Sequence, residues 1–101
     1  IKSFGYRLSP VEIEKTLESH PAVAEAAVVG LAVDEQKTLV TACIVPIAPN
    51  AVAAADLEAH AAEHLAEYKR PHQYHFVDSL PRTRNGKVQR RSLLETLRAE
   101  S

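Results

Sequence analysis

The sequence has no methionine and no tryptophan, and only one cysteine and three glycines in 101 residues. A lone cysteine, Cys43, rules out an internal disulfide framework and fits a reducing, cytoplasmic setting. None of the three glycines belongs to a phosphate-cradling loop, so the chain is not built to hold a nucleoside triphosphate by itself. No apolar run approaches the ~20 residues needed to span a bilayer, and there is no secretory n-region or h-region. Twelve basic against thirteen acidic residues leave a formal charge of −1, so any basic site must be local. Five aromatic residues are too few for the interleaved stacking platform of a nucleic-acid binder. The chain also opens at Ile1 within strand-like residues and without an initiator methionine, which reads as a piece of a longer polypeptide.

What is present is enough for one folded domain. Apolar residues make up 46% and charged residues 25%, and a chain of this length buries roughly two-thirds of its unfolded surface. Residues 1–8 are short-strand material broken by Gly5. Ser9, Pro10 and Glu12 then form a helix start: an N-cap, a proline at the first helical position and the S-x-x-E spacing of a capping box. Leu8 and Ile13 fall at the staple positions across that cap, Ile13 and Leu17 share a face, and His20-Pro21 ends the helix. Residues 22–31 and 38–47 are apolar, β-branched runs joined by a short polar link, which predicts an antiparallel pair. Residues 49–67 predict a helix of about 13 residues with Leu57, Ala61, Leu65 and Tyr68 facing inward. A third strand over 73–77, a hairpin over 80–89 and a last helix over about 91–99, carrying Leu93, Leu94 and Leu97, complete the chain. The predicted fold is α+β: a small three-stranded sheet with flanking helices and short hairpins. Cys43 alternates with apolar neighbours and reads as core.

The hairpin carries the chemistry. Its Asn85-Gly86 dipeptide tolerates positive φ at both central positions and places Lys87 first after the turn, facing solvent or a facing surface. Arg82, Arg84, Lys87, Arg90 and Arg91 lie within ten residues, which as a bare charge run reads as a solvated basic loop or a nucleic-acid patch.

Four segments in order are more specific. Pro81-Arg82-Thr83-Arg84-Asn85-Gly86-Lys87-Val88 is similar to the signature P-x-T-x-x-G-K of acyl-CoA synthetases and related adenylate-forming ligases. Gly5-Tyr6-Arg7-Leu8-Ser9-Pro10-Val11-Glu12-Ile13-Glu14 resembles the segment that follows their hinge. His20-Pro21-Ala22-Val23-Ala24-Glu25-Ala26-Ala27-Val28-Val29-Gly30 and Tyr68-Lys69-Arg70-Pro71 match two more of their motifs. The chain departs from many of these enzymes where Gln36-Lys37 stands in place of an arginine–glycine pair.

The resemblance implies that residues 1–101 are the mobile C-terminal lid of a carboxylic acid–CoA ligase, working with a larger N-terminal AMP-binding domain that holds ATP, with its magnesium, and the acid. It makes Lys87 the catalytic lysine that contacts the carboxylate and the α-phosphate side of ATP, and Arg7 a second phosphate contact. An exposed lysine is a cation at neutral pH and a poor base, so its work there is to hold the attacking carboxylate and offset charge at phosphorus. After adenylation, the lid of such enzymes rotates and presents its glycine segment to the CoA tunnel. Phe4, Gly5 and Tyr6 are then CoA-facing residues, and Lys69, Arg70 and His72 are candidates for the CoA phosphates on charge and placement. A protein lysine acetyltransferase acting on Lys87 is a further implied partner. An amino-acid adenylating module, with a carrier protein in place of free CoA, is the alternative.

One other pattern is set aside. His60-Ala61-Ala62-Glu63-His64 spells H-x-x-E-H, seen in some zinc peptidases, but a catalytic zinc needs a third protein ligand and a cleft that nothing nearby supplies. His72 and His75 flank the third strand as surface or packing residues.

Overall fold

Ser9 and Pro10 begin the first helix where the capping signals place it. Ser9 is the N-cap of α1 (Pro10–Glu18) and its hydroxyl accepts the Glu12 N–H at 3.4 Å. Only half of the predicted box forms, because the Glu12 carboxylate turns instead to Lys69 Nζ, 3.2 Å away. The staple forms in full: Leu8 and Ile13 are both buried in one cluster, with Leu17 one turn further along.

The computed structural model describes residues 2–3, 6–32, 34–35 and 37–100; of residues 2, 3, 6, 7 and 100 it describes the backbone alone. Ahead of α1, β1 (Lys2–Ser3) and β2 (Tyr6–Arg7) form a short antiparallel hairpin, and β1 lies against the central strand of the main sheet. That sheet contains β3 (Val23–Ala32), β4 (Thr38–Pro46) and β5 (Gln73–Phe76) in the order β3-β4-β5. The first pair is antiparallel, as its short link requires. The second is parallel, since the helix α2 (Ala54–His64) crosses over between β4 and β5. A last helix, α3 (Arg90–Glu100), follows the Lys87 hairpin. The α+β prediction holds, with the sheet mixed.

Side-chain alternation splits the core between the two faces of the sheet. Ala26, Val28, Val40, Ala42 and Ile44 pack against α1 and α2, whereas Ala27, Val29 and Cys43 pack against Leu80, Leu93 and Leu97. A register shift between Val23 and Glu25 matters here. Val23 is buried in the first cluster, so unbroken alternation would place Glu25 on that apolar face too; the shift moves Glu25 to the α3 side.

Two details of α2 differ from expectation. The helix has 11 residues, starting where the Ala53 N–H donates to Asp56 at 2.9 Å. Leu57, Ala61 and Leu65 are buried as predicted, but Tyr68 is 42% exposed. Leu65 leaves the helix in an extended conformation (φ −123°, ψ 143°), so Tyr68 sits in a separate 3-10 turn (Glu67–Lys69) and no longer follows the helical stripe.

Tyr74 packs against the α1/α2 cluster, its hydroxyl 3.4 Å from the Leu57 carbonyl. Burial, with the Glu58 carboxylate nearby adding to it, pushes its pKa up from 10.0 to about 12. The unfolded chain releases this proton near pH 10 and the folded chain keeps it to about pH 12. The stabilisation is therefore complete below pH 10 and lost as pH rises through that window. Denaturant midpoints measured from pH 9 to 12 should fall more steeply for the native chain than for Tyr74→Phe; equal slopes would contradict the assignment.

Candidate functional site

The Lys87 hairpin is anchored first by apolar packing. Leu80 before it is buried, and Val88 after it packs against the α3-side cluster. With Val88 turned inward, alternation turns its neighbour Lys87 outward. Arg82 and Val88 form an antiparallel bridge, the Thr83 N–H donates to the Lys87 carbonyl at 2.8 Å, and the Gln89 N–H to the Pro81 carbonyl at 2.8 Å.

The turn type corrects the expectation for Asn85-Gly86. The Gly86 N–H donates to the Thr83 carbonyl at 2.9 Å, so Arg84 and Asn85 are the central pair. Among the described non-glycine residues only Asn50 has a positive φ, and Gly86 alone in the hairpin does, at +83°. This is a three-residue loop, a turn closed by a left-handed glycine, rather than a turn left-handed at both central residues. Lys87 still comes directly after it.

Both ends of the Gly86-Lys87 peptide unit are held. The Gly86 carbonyl accepts from Arg82 Nη1 at 2.7 Å, and the Lys87 N–H donates to Thr83 Oγ1 at 3.2 Å. The same Arg82 guanidinium pairs through Nη2 with Glu25 on β3. Their side chains are 39% and 35% exposed, and pairs so exposed contribute about 0–1 kcal/mol. The contact fixes geometry more than it adds stability.

A second tie is better buried. β3 is an edge strand, and α1 lies along its free side. Glu14 accepts the Val28 N–H at 2.8 Å, and Glu18, one turn on, accepts the Ala26 N–H at 3.3 Å. Arg90, at the start of α3, places Nη2 2.8 and 2.7 Å from the two Glu14 oxygens and donates Nε to the Val28 carbonyl at 3.3 Å. Glu14 is 12% exposed. The two arginines thus bind the hairpin to β3 on both sides of Lys87.

Of the five clustered cations, Arg82 and Arg90 are consumed in these pairs. Arg84, Lys87 and Arg91 are exposed, and among the described residues they form no ion pair. The basic run is therefore partly neutralised within the domain.

The candidate CoA and phosphate residues lie elsewhere. Phe4 and Gly5 are outside the described residues, as is Gln36; Tyr6 and Arg7 form β2. Lys69 pairs with Glu12, while Arg70 donates Nε to the Leu65 carbonyl at 3.0 Å and Nη2 to the Ala62 carbonyl at 3.2 Å, capping the end of α2. His72 Nδ1 accepts the Val40 N–H at 2.8 Å and the His72 backbone N–H donates to the Val40 carbonyl at 2.8 Å, extending the pairing of β4 and β5 by one residue. In the H-x-x-E-H segment, His60 Nε2 donates to the Thr16 carbonyl at 2.9 Å and also meets Ser19 Oγ at 2.9 Å. His64 Nδ1 donates to the His60 carbonyl at 2.8 Å. Among the described residues no group of three or more His, Cys, Asp or Glu is arranged to hold a metal.

The family model for the C-terminal domain of AMP-binding enzymes matches residues 12–87, and the chain belongs to that family. A benzoate–CoA ligase of Thauera aromatica is 42% identical over 94 residues, covering 89% of this chain and 18% of that protein. A fatty acid–[acyl-carrier-protein] ligase of Streptomyces coeruleorubidus is 38% identical over 97 residues, covering 96% and 19%. The structure of a Mycobacterium tuberculosis fatty acyl CoA synthetase superposes with a TM-score of 0.91 at 31% identity, over 99% of this chain and 20% of that one. The chain thus spans about a fifth of the length of these relatives.

Sequence reasoning singled out Lys87 as a candidate and missed the contacts that hold its hairpin. Glu25 and Glu14 are separated from their arginines by 57 and 76 residues, and no local signal couples them. Removing the Glu14 carboxylate strands the N–H of Val28, a fully buried residue. Glu14→Ala should cost about 1–3 kcal/mol, read as a lower urea midpoint at neutral pH. Arg90→Ala should also lower the midpoint, because it leaves the Glu14 carboxylate, 12% exposed, without its cation. An unchanged midpoint for Glu14→Ala would contradict the edge-capping role.

Proposed function

We propose that residues 1–101 are the C-terminal lid of an ATP-dependent carboxylic acid–CoA ligase, and that Lys87 serves its adenylation step. Membership of the AMP-binding C-terminal family supports the reaction class. The observation that carries the assignment of Lys87 is an exposed ammonium without an ion-pair partner, on a peptide unit hydrogen-bonded at both ends.

In this reading a larger N-terminal domain holds ATP and the acid. The carboxylate oxygen attacks the α-phosphorus, the bond to pyrophosphate breaks, and an acyl-adenylate forms. Lys87 holds the carboxylate and offsets the negative charge that grows at phosphorus, with no reorganisation of its own backbone. Arg7 contacts phosphate in the same state. The lid then rotates, and a thiol attacks the acyl carbon while AMP leaves. Gly5 lets backbone approach the pantetheine arm, with Phe4 and Tyr6 beside it. Lys69, Arg70 and His72 offer charge and hydrogen bonds to the CoA phosphates. Lys69 and Arg70 would first exchange their contacts with Glu12 and the α2 carbonyls.

Acetylation of Lys87 by a protein lysine acetyltransferase would remove the charge that adenylation uses. The setting is cytoplasmic in this reading, and no described helix is long and apolar enough to cross a membrane. A second reading has a carrier protein's phosphopantetheine as the acceptor, as in an amino-acid adenylating module; similarity to the [acyl-carrier-protein] ligase favours it.

In the full-length enzyme, Lys87→Ala should slow acid-dependent ATP–pyrophosphate exchange by about 10²–10³-fold. Thioester formation from supplied acyl-adenylate should be largely spared. Equal losses in both half-reactions would remove Lys87 from the role assigned to it.

A further inference from the structure

Lys87 is exposed, yet the peptide unit that carries it is hydrogen-bonded at both ends. Arg82 is the centre of that arrangement. One guanidinium nitrogen donates to the Gly86 carbonyl at 2.7 Å and the other pairs with Glu25 on β3. A single planar side chain therefore joins the turn to the sheet, through the carbonyl of the peptide unit that enters Lys87. Thr83 holds the other end of the same unit through its hydroxyl. The register shift at the start of β3 is what brings Glu25 to this side of the sheet. Nothing in the core requires any of these contacts: Arg82, Thr83 and Gly86 are all exposed, and Leu80 and Val88 supply the apolar anchoring of the hairpin.

We propose that Arg82 and Glu25 are positioning residues for the adenylation half-reaction, fixing the height and direction from which Lys87 reaches the bound carboxylate and nucleotide. This rests on the assignment of Lys87 to that step. Arginine is suited to the task and lysine is not. The planar guanidinium can span a carboxylate and a carbonyl with separate N–H groups in one plane, whereas an ammonium is a single point of charge. Misplacing a catalytic group by about 1 Å can cost 10²-fold in rate. The Lys87 side chain can recover part of such a displacement, so a loss of about tenfold is expected.

The test uses the full-length enzyme with Arg82→Met, Arg82→Lys, Glu25→Gln and the exchange of Glu25→Arg with Arg82→Glu, alongside Lys87→Ala. Arg82→Met and Glu25→Gln should each lower kcat for ATP–pyrophosphate exchange about tenfold, with KM for ATP nearly unchanged. Thioester formation from supplied acyl-adenylate should be unaffected, and the melting temperature should move by less than about 3 °C. Arg82→Lys should not restore the rate; the exchanged pair should restore part of it. Adding Arg82→Met to Lys87→Ala should cause no further loss, because the arginine acts only through the lysine. If Lys87→Ala disables exchange while Arg82→Met and Glu25→Gln leave it intact, the positioning role is wrong and the lysine assignment stands. If Lys87→Ala itself leaves exchange intact, both are wrong. A loss spread equally over both half-reactions and accompanied by a large drop in melting temperature would make Arg82 a structural residue and overturn the proposal.

Discussion

The carboxylate of Glu14 is the point on which the arrangement of this domain depends. It takes the outward N–H of Val28 on the edge of β3 through Oε2 and, with both oxygens, the guanidinium of Arg90 at the start of α3. A bare sheet edge is a row of unmet donors and acceptors open to any passing strand. Here α1 covers part of that row with two glutamates one helical turn apart, and Arg90 answers the Val28 carbonyl in return. One charged group thereby joins a helix on one face of the sheet, the edge strand, and a helix on the other face.

That junction makes the start of α3 a fixed point, and the hairpin preceding α3 inherits its position. Arg82 supplies the second fixed point by reaching Glu25 further back along the same strand. Lys87 lies between the two ties. Its peptide unit is hydrogen-bonded at both ends while the ammonium has no ion-pair partner among the described residues, so the cost of ordering the backbone is met on folding. Of the five clustered cations, Arg82 and Arg90 are paired with glutamates of this domain, whereas Arg84, Lys87 and Arg91 form no ion pair among the described residues.

The parts of this fold that were legible in the sequence are those set by neighbours along the chain. Ser9-Pro10 started a helix, the short link between two β-branched runs made an antiparallel pair, and Leu93 and Leu97 marked the inner face of the last helix. Errors arose where a local rule was extended past the point at which the backbone changes. Tyr68 continues the spacing of Leu57, Ala61 and Leu65, but Leu65 is already extended and Arg70 takes the last carbonyls of the helix, so the stripe stops there. Asn85-Gly86 marked the turn correctly, but the hydrogen bond from Gly86 back to Thr83 moved the central pair one residue earlier. The supports of Lys87 were illegible for a different reason. Each joins residues far apart in sequence, and the bulge that turns Glu25 toward Arg82 leaves no mark in composition or periodicity.

Amide hydrogen exchange at Ala26 and Val28 tests the edge capping most directly. Both N–H groups face away from β4, so only the glutamates of α1 can protect them. Capping predicts that these two amides exchange as slowly as the paired amides of β4, and that Glu14→Gln accelerates Val28 while leaving β4 unchanged. Exchange at Ala26 and Val28 as fast as that of Arg84 at the hairpin tip would show that the edge is open, and that the Lys87 hairpin is not anchored through it.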